Sequence, residues 1–161
     1  VYKRQVYRMR WSILTIASVL ALAYVMNFSG QTIAMGTFLA GLGTVYAFLA
    51  PALGWIGTAV TGSDTSANAL FSKLQVSAAE NLQHAGIHGA TPELMLAANT
   101  TGGVVGKMIS PQSLAIAATS VDMEGKESDI LKAVLPWSFA MLLFVCILVF
   151  LQTNVLSFMI P

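Results

Sequence analysis

Two ionisable side chains stand deepest inside long apolar stretches of this sequence, Asp64 and Lys107. A charge at the centre of a bilayer costs at least about 2.5 to 3.5 kcal/mol on insertion scales, so something must offset each of them. Both are surrounded by neutral hydrogen-bonding groups: Ser63, Thr65, Ser66 and Asn68 around Asp64, then Asn99, Thr100, Thr101, Gly102 and Gly103 before Lys107, and Ser110, Gln112 and Ser113 after it. A cation with neutral donors and freed backbone N–H groups suits a small anion, with Asp64 as a protonatable or orienting group. The alternative is a structural pair between Asp64 and Lys107. No nucleophile with a base is expected, because no histidine lies in the apolar stretches.

Other motifs carry less. Residues 102–107 have the flavour of a phosphate loop, but Thr101 stands where its first glycine belongs and Met108 where Ser or Thr must follow the lysine. His84 and His88 are spaced i, i+4, yet Gly86, Gly89 and Pro92 argue against a helix there and no third ligand is near, so no metal and no cofactor is expected. The four cations Lys3, Arg4, Arg8 and Arg10 make no stripe for nucleic acid. They flank an apolar run, where such residues mark the cytoplasmic side of a membrane helix. Cys146 has no partner for an internal disulfide.

The elements that position these groups follow from composition. Of 161 residues, 56% are hydrophobic and 9% charged, where a soluble domain carries about 25% charged residues. Residues 11–63 contain no Asp, Glu, Lys or Arg, residues 94–121 only Lys107, and residues 133–161 none. A membrane-spanning helix needs about 20 apolar residues. The chain is therefore expected to be an all-α integral membrane module.

Residues 11–30 read as a complete span, with Trp11 and Tyr24 toward its ends. Residues 33–60 form a second apolar run, rich in glycine and interrupted by Pro51, that leads into the polar stretch 61–68. The apolar character that resumes at 69–79 is only eleven residues long and cannot cross a hydrocarbon core of about 30 Å. A re-entrant hairpin at about 33–79 with its tip at 61–68 satisfies both lengths, followed by an aqueous loop at 80–93. Residues 93–121 read as a broken helix, interrupted at 99–103 and again at 110–113, and residues 133–158 as a final span. Irregular backbone at membrane depth survives only where it is buried in protein or lines a cavity, so these breaks point to a binding site.

The stretch from Gly54-Trp55-Ile56-Gly57 to Thr61-Gly62-Ser63-Asp64-Thr65-Ser66-Ala67-Asn68-Ala69-Leu70-Phe71 strongly resembles the C-terminal part of the bacterial L-lactate permease family. So do Ala97-Ala98-Asn99-Thr100-Thr101-Gly102-Gly103-Val104-Val105-Gly106-Lys107-Met108-Ile109-Ser110-Pro111-Gln112-Ser113 and Gly125-Lys126-Glu127-Ser128-Asp129. The resemblance runs from about residue 11 to Pro161. It implies a secondary transporter for lactate and glycolate-like 2-hydroxy monocarboxylates, working by proton symport in the bacterial cytoplasmic membrane. It also implies one half of an inverted-repeat fold, with a missing N-terminal part as partner. On that basis Lys107 is the expected carboxylate partner, the residues named around it and around Asp64 line the substrate site, and Asp64 is the proton-coupling candidate. A non-transporting accessory subunit of a membrane complex is the rival, against which the polar interruptions speak. With the basic N-terminal residues inside, the re-entrant topology places Pro161 outside.

Overall fold

The computed structural model describes residues 2–123 and 125–159, with the backbone alone for 3–6, 8, 9, 11, 12, 15 and 159. The side chains of Lys3, Arg4, Arg8 and Trp11, and all of Pro161, thus lie outside the described residues. The fold is all-helical: α1 (Tyr2–Phe28), α2 (Gln31–Ala40), α3 (Val45–Thr61), α4 (Asp64–His84), α5 (Pro92–Lys107), α6 (Pro111–Ser120) and α7 (Glu127–Asn154), closed by a 3₁₀ turn at Ser157–Met159.

Three helix starts are written plainly in the sequence. Ser63, Thr91 and Ser110 each accept a hydrogen bond from the backbone N–H three residues on, at 3.2 to 3.4 Å, which satisfies a donor the first turn would leave free. Pro92 and Pro111 then occupy first-turn positions, where a missing N–H costs nothing.

The observed elements shift several expected boundaries. The run at 33–60 divides at residues 41–44 into α2 and α3. The first of these follows α1 at a bend of 73° and packs against α4, where Gly36 lies against Ser77. The tip expected at 61–68 contracts to Gly62 and Ser63, because Gly62 takes φ +70° and Ser63 caps α4 at once. Thr65, Ser66 and Asn68 are helical. The short piece at 69–79 belongs to the 21-residue α4, which continues to His84. Most directly, residues 99–103 do not interrupt a helix: α5 runs unbroken from Pro92 to Lys107. The one interruption in that region covers residues 108–110, ahead of α6.

Glycine in α3 and α5 serves close packing. A methyl group on Gly54 would sit 1.8 Å from the carbonyl oxygen of Asn99, one on Gly102 1.9 Å from that of Pro51, and one on Gly106 2.2 Å from that of Trp55. Pro51–Gly102 advances to Trp55–Gly106, and Gly54–Asn99 to Thr58–Gly103, so α3 and α5 run parallel with their backbones in contact, as small residues permit in lipid. Helix α4 returns antiparallel to both, burying Leu74, Ala78 and Leu82. Helix α7 closes the bundle: Trp55 Nε1 donates to Ser138 Oγ at 2.9 Å, Ser138 Oγ donates to the Val105 carbonyl at 3.3 Å, and at the other end the backbone of Gly89 lies against the Thr153 carbonyl.

Outside this bundle the surface is apolar, with Phe28, Phe38, Val60, Ile116, Trp137 and Phe144 all exposed. Among the described residues α3 and α7 are long and apolar enough to cross a membrane, and the bent pair α1–α2 makes a third crossing if taken as one span.

Candidate functional site

The C-terminal ends of α3 and α5 and the N-terminal ends of α4 and α6 meet at one end of the bundle, and Asp64 and Lys107 both lie there. Asp64 is the first residue of α4, where the positive end of the helix dipole favours a carboxylate. Lys107 is the last residue of α5, where the negative end favours a cation. Each charge thus has a helix-terminal reason for its position.

They are not a structural pair. The Lys107 ammonium donates to the Gly62 carbonyl, which closes the C-terminus of α3, and to Gln112 Oε1 at 3.4 Å. Asp64 instead accepts from Thr58 Oγ1 at 3.5 Å through one oxygen and from Asn68 Nδ2 at 3.2 Å through the other. Gly103 makes room for it, since a methyl group there would lie 2.0 Å from Asp64 Oδ1. An ammonium has three N–H donors, so two protein acceptors leave Lys107 one for a ligand oxygen.

From Asp64 a chain of side-chain hydrogen bonds leads into the core. Asn68 Oδ1 accepts from Asn99 Nδ2 at 2.7 Å and from Thr100 Oγ1 at 3.2 Å. Asn99 Oδ1 accepts from Gln75 Nε2 at 3.2 Å, and Gln75 Nε2 also donates to the Ala50 carbonyl at 3.0 Å. Gln75 Oε1 in turn accepts from the Tyr46 hydroxyl at 2.5 Å. Tyr46, Gln75 and Asn99 are fully buried. Each buried amide satisfies its neighbour, which removes the cost an unpaired polar group would carry.

The expected site residues therefore divide. Asp64, Asn68, Asn99, Thr100 and Gly103 form one connected cluster. Lys107, Gln112, Ser110 and Ser113 form another around the α5–α6 break: buried Ser110 donates to the Lys107 carbonyl at 2.9 Å, and its Oγ lies 3.1 Å from that of Ser113. The Ser63 hydroxyl is tied up in the cap of α4, where it accepts from the backbone N–H of Ser66. Gly102 serves the contact with α3. Thr65 is exposed, and Thr101, also exposed, bonds back to the Ala97 carbonyl at 2.7 Å. Three members of the network were missed in the sequence: Tyr46, Thr58 and Gln75. Gln75 interrupts an apolar run and offered a signal, whereas Tyr46 and Thr58 offered none. His84 ends α4 and His88 lies in the loop beyond it, both exposed and remote from this end of the bundle.

A family model described as L-lactate permease matches residues 1–156. The L-lactate permease of Bacillus subtilis (strain 168) is 48% identical over 161 residues, which is 100% of this chain and 28% of that protein. That of Escherichia coli (strain K12) is 46% identical over 149 residues, 92% of this chain and 26% of that protein. The glycolate permease GlcA of the same organism is 40% identical over 157 residues, 98% of this chain and 27% of that protein. The chain thus spans little more than a quarter of the length of these relatives. No solved structure matches.

Proposed function

We propose, from the premise that the chain belongs to the L-lactate permease family, that it is part of a secondary transporter carrying lactate and related 2-hydroxy monocarboxylates by proton symport. The bilayer it works in is the bacterial cytoplasmic membrane. The observation that carries this reading is the meeting of four helix ends, where a cation with an unused donor and a carboxylate held by neutral donors lie at one end of an apolar bundle. A 2-hydroxy acid offers one carboxylate and one hydroxyl. Lys107 and the N-terminus of α6 beside it suit the first, and Thr100, Gln112 and Ser113 suit the second. Asp64 is the proton-linked group of this site. Relatives named for lactate and for glycolate support a substrate class of small 2-hydroxy acids.

Topology belongs to the same proposal. The two-residue turn at Gly62 and Ser63 is covered by Lys107 and Gln112, and irregular backbone is tolerated at membrane depth where protein buries it, which supports a turn that stays inside the apolar layer. In this arrangement α3 and α4 form the re-entrant hairpin, α5 and α6 the broken helix, and the whole is one half of an inverted-repeat transporter. A cytoplasmic reporter fused after Pro161 stays silent if the hairpin is re-entrant. A cytoplasmic signal removes that topology.

Labelled lactate uptake by the full-length protein in vesicles, with and without an imposed proton gradient, tests the function. Lys107→Ala is expected to reduce uptake at least 100-fold with normal membrane insertion, and Asp64→Asn to flatten its dependence on external pH. Uptake indifferent to the gradient removes proton coupling and leaves transport standing. Both variants behaving as the parent would place the site elsewhere.

A further inference from the structure

The hydrogen bonds that lead from the core to Asp64 all point the same way. Tyr46 donates to Gln75, Gln75 to Asn99, Asn99 to Asn68, and Asn68 to Asp64. An amide can be turned over, and a chain of amides can in principle run in either direction. This one cannot, because Gln75 Nε2 also donates to the Ala50 carbonyl. Turning Gln75 over would set its oxygen against two acceptors, the Ala50 carbonyl and Asn99 Oδ1. With Gln75 fixed, Asn99 must present its oxygen to Gln75 and its NH₂ to Asn68, and Asn68 must then present its NH₂ to Asp64.

We infer that Gln75 is a positioning residue for Asp64: held by the Ala50 carbonyl, it sets the direction of the Gln75–Asn99–Asn68 chain and so keeps a donor aimed at the carboxylate from the middle of the bundle. This rests on the reading of Asp64 as the proton-linked group. Gln75 lies eleven residues from Asp64 on the same helix, about 16 Å along its axis, and touches it only through the two asparagines. A donor aimed at a carboxylate favours its ionised form. Without Gln75, Asn99 and Asn68 are free to turn over and offer Asp64 an acceptor, which favours the protonated form.

Few other titratable groups face this carboxylate. Lys107 on α5 is engaged with Gly62 and Gln112. Tyr46 on α3 stands at the far end of the chain. On α4, Lys73, Glu80 and His84 are exposed and lie progressively farther away, and Glu93 is at the opposite end of α5.

The experiment is the pH profile of lactate uptake by the full-length protein in vesicles, measured for the parent, Gln75→Met, Tyr46→Phe and Asp64→Asn. Gln75→Met is expected to move the midpoint of acid activation upward by about half to one pH unit. Tyr46→Phe leaves the direction of the chain intact and is expected to leave the midpoint where it is, a contrast that general loosening of the core does not produce. Asn68→Ala removes the last donor at a half-buried position. It should shift the midpoint at least as far, and it carries the test if Gln75→Met does not reach the membrane. A midpoint unchanged in these variants, while Asp64→Asn loses its pH dependence, overturns this inference alone. Parental pH dependence in Asp64→Asn overturns the proton-linked reading of Asp64 and the inference with it.

Discussion

Residues 61–66 and 99–103 are both rich in glycine and small hydroxyl residues set in apolar surroundings, the first with Asp64 among them and the second with Asn99, and they fold in opposite ways. The first ends one helix and begins another within two residues; the second lies within an uninterrupted helix. Composition alone gave both as interruptions. What separates them is the direction each glycine faces. Gly62 takes a left-handed backbone and is followed by a capping serine, so the chain reverses. Gly102 and Gly103 keep helical angles and face a partner, the Pro51 carbonyl for one and Asp64 for the other. The hydroxyls beside them, Thr100 and Thr101, find acceptors in the carbonyls four residues back and so need no break in the helix to be satisfied.

Substitutions can break this comparison or sharpen it. Gly102→Ala should have the largest effect, because its methyl group meets backbone and not a movable side chain. Separating α3 from α5 is expected to cost more than about 3 kcal/mol, seen as loss of the folded full-length protein in detergent and of uptake. A variant as heat-stable as the parent would mean the two helices are not held at that distance. Gly62→Ala comes next: a left-handed backbone costs a residue with a side chain about 1 to 2 kcal/mol, and the obstructing neighbour is the flexible end of Gln112. A lowered thermal midpoint is expected, with weakened uptake because the displaced Gln112 belongs to the site, and an unchanged midpoint would show that the turn does not depend on glycine. Thr101→Val should be smallest, within about 0.5 kcal/mol, because its hydroxyl serves only its own helix. A large loss of uptake on that change would bring Thr101 into the site.

Much of the fold was legible where a local rule decides it. The helical class followed from uncharged runs, and α5 starts one residue from the expected 93; α4 and α6 start earlier than expected, because Ser63 before Asp64 and Ser110 before Pro111 cap them inside stretches read as interruptions. The site was legible as a set of residues and not as a set of contacts. A pair of Asp64 with Lys107 stood as the alternative because each was the one deep charge in its stretch. Their actual partners, Thr58 and the Gly62 carbonyl, had no charge to announce them. Gln75 bonds to residues 24 to 29 positions away, a separation at which no sequence spacing rule operates. The interruption expected at 99–103 failed for the same reason, since its outcome depends on the surface of α3.

The two attachments of α7 bear on how this protein meets membranes of different thickness. Ser138, bonded at once to Trp55 and to the Val105 carbonyl, and Thr153, against Gly89, are separated by fifteen residues, or about 22 Å of helix. A helix fastened at one point adapts to a thinner bilayer by sliding past its neighbours. One fastened at two points that far apart must tilt with α3 and α5 as a single rod, so lipid composition would act on the angle of the entire bundle and reach Asp64 and Lys107 together.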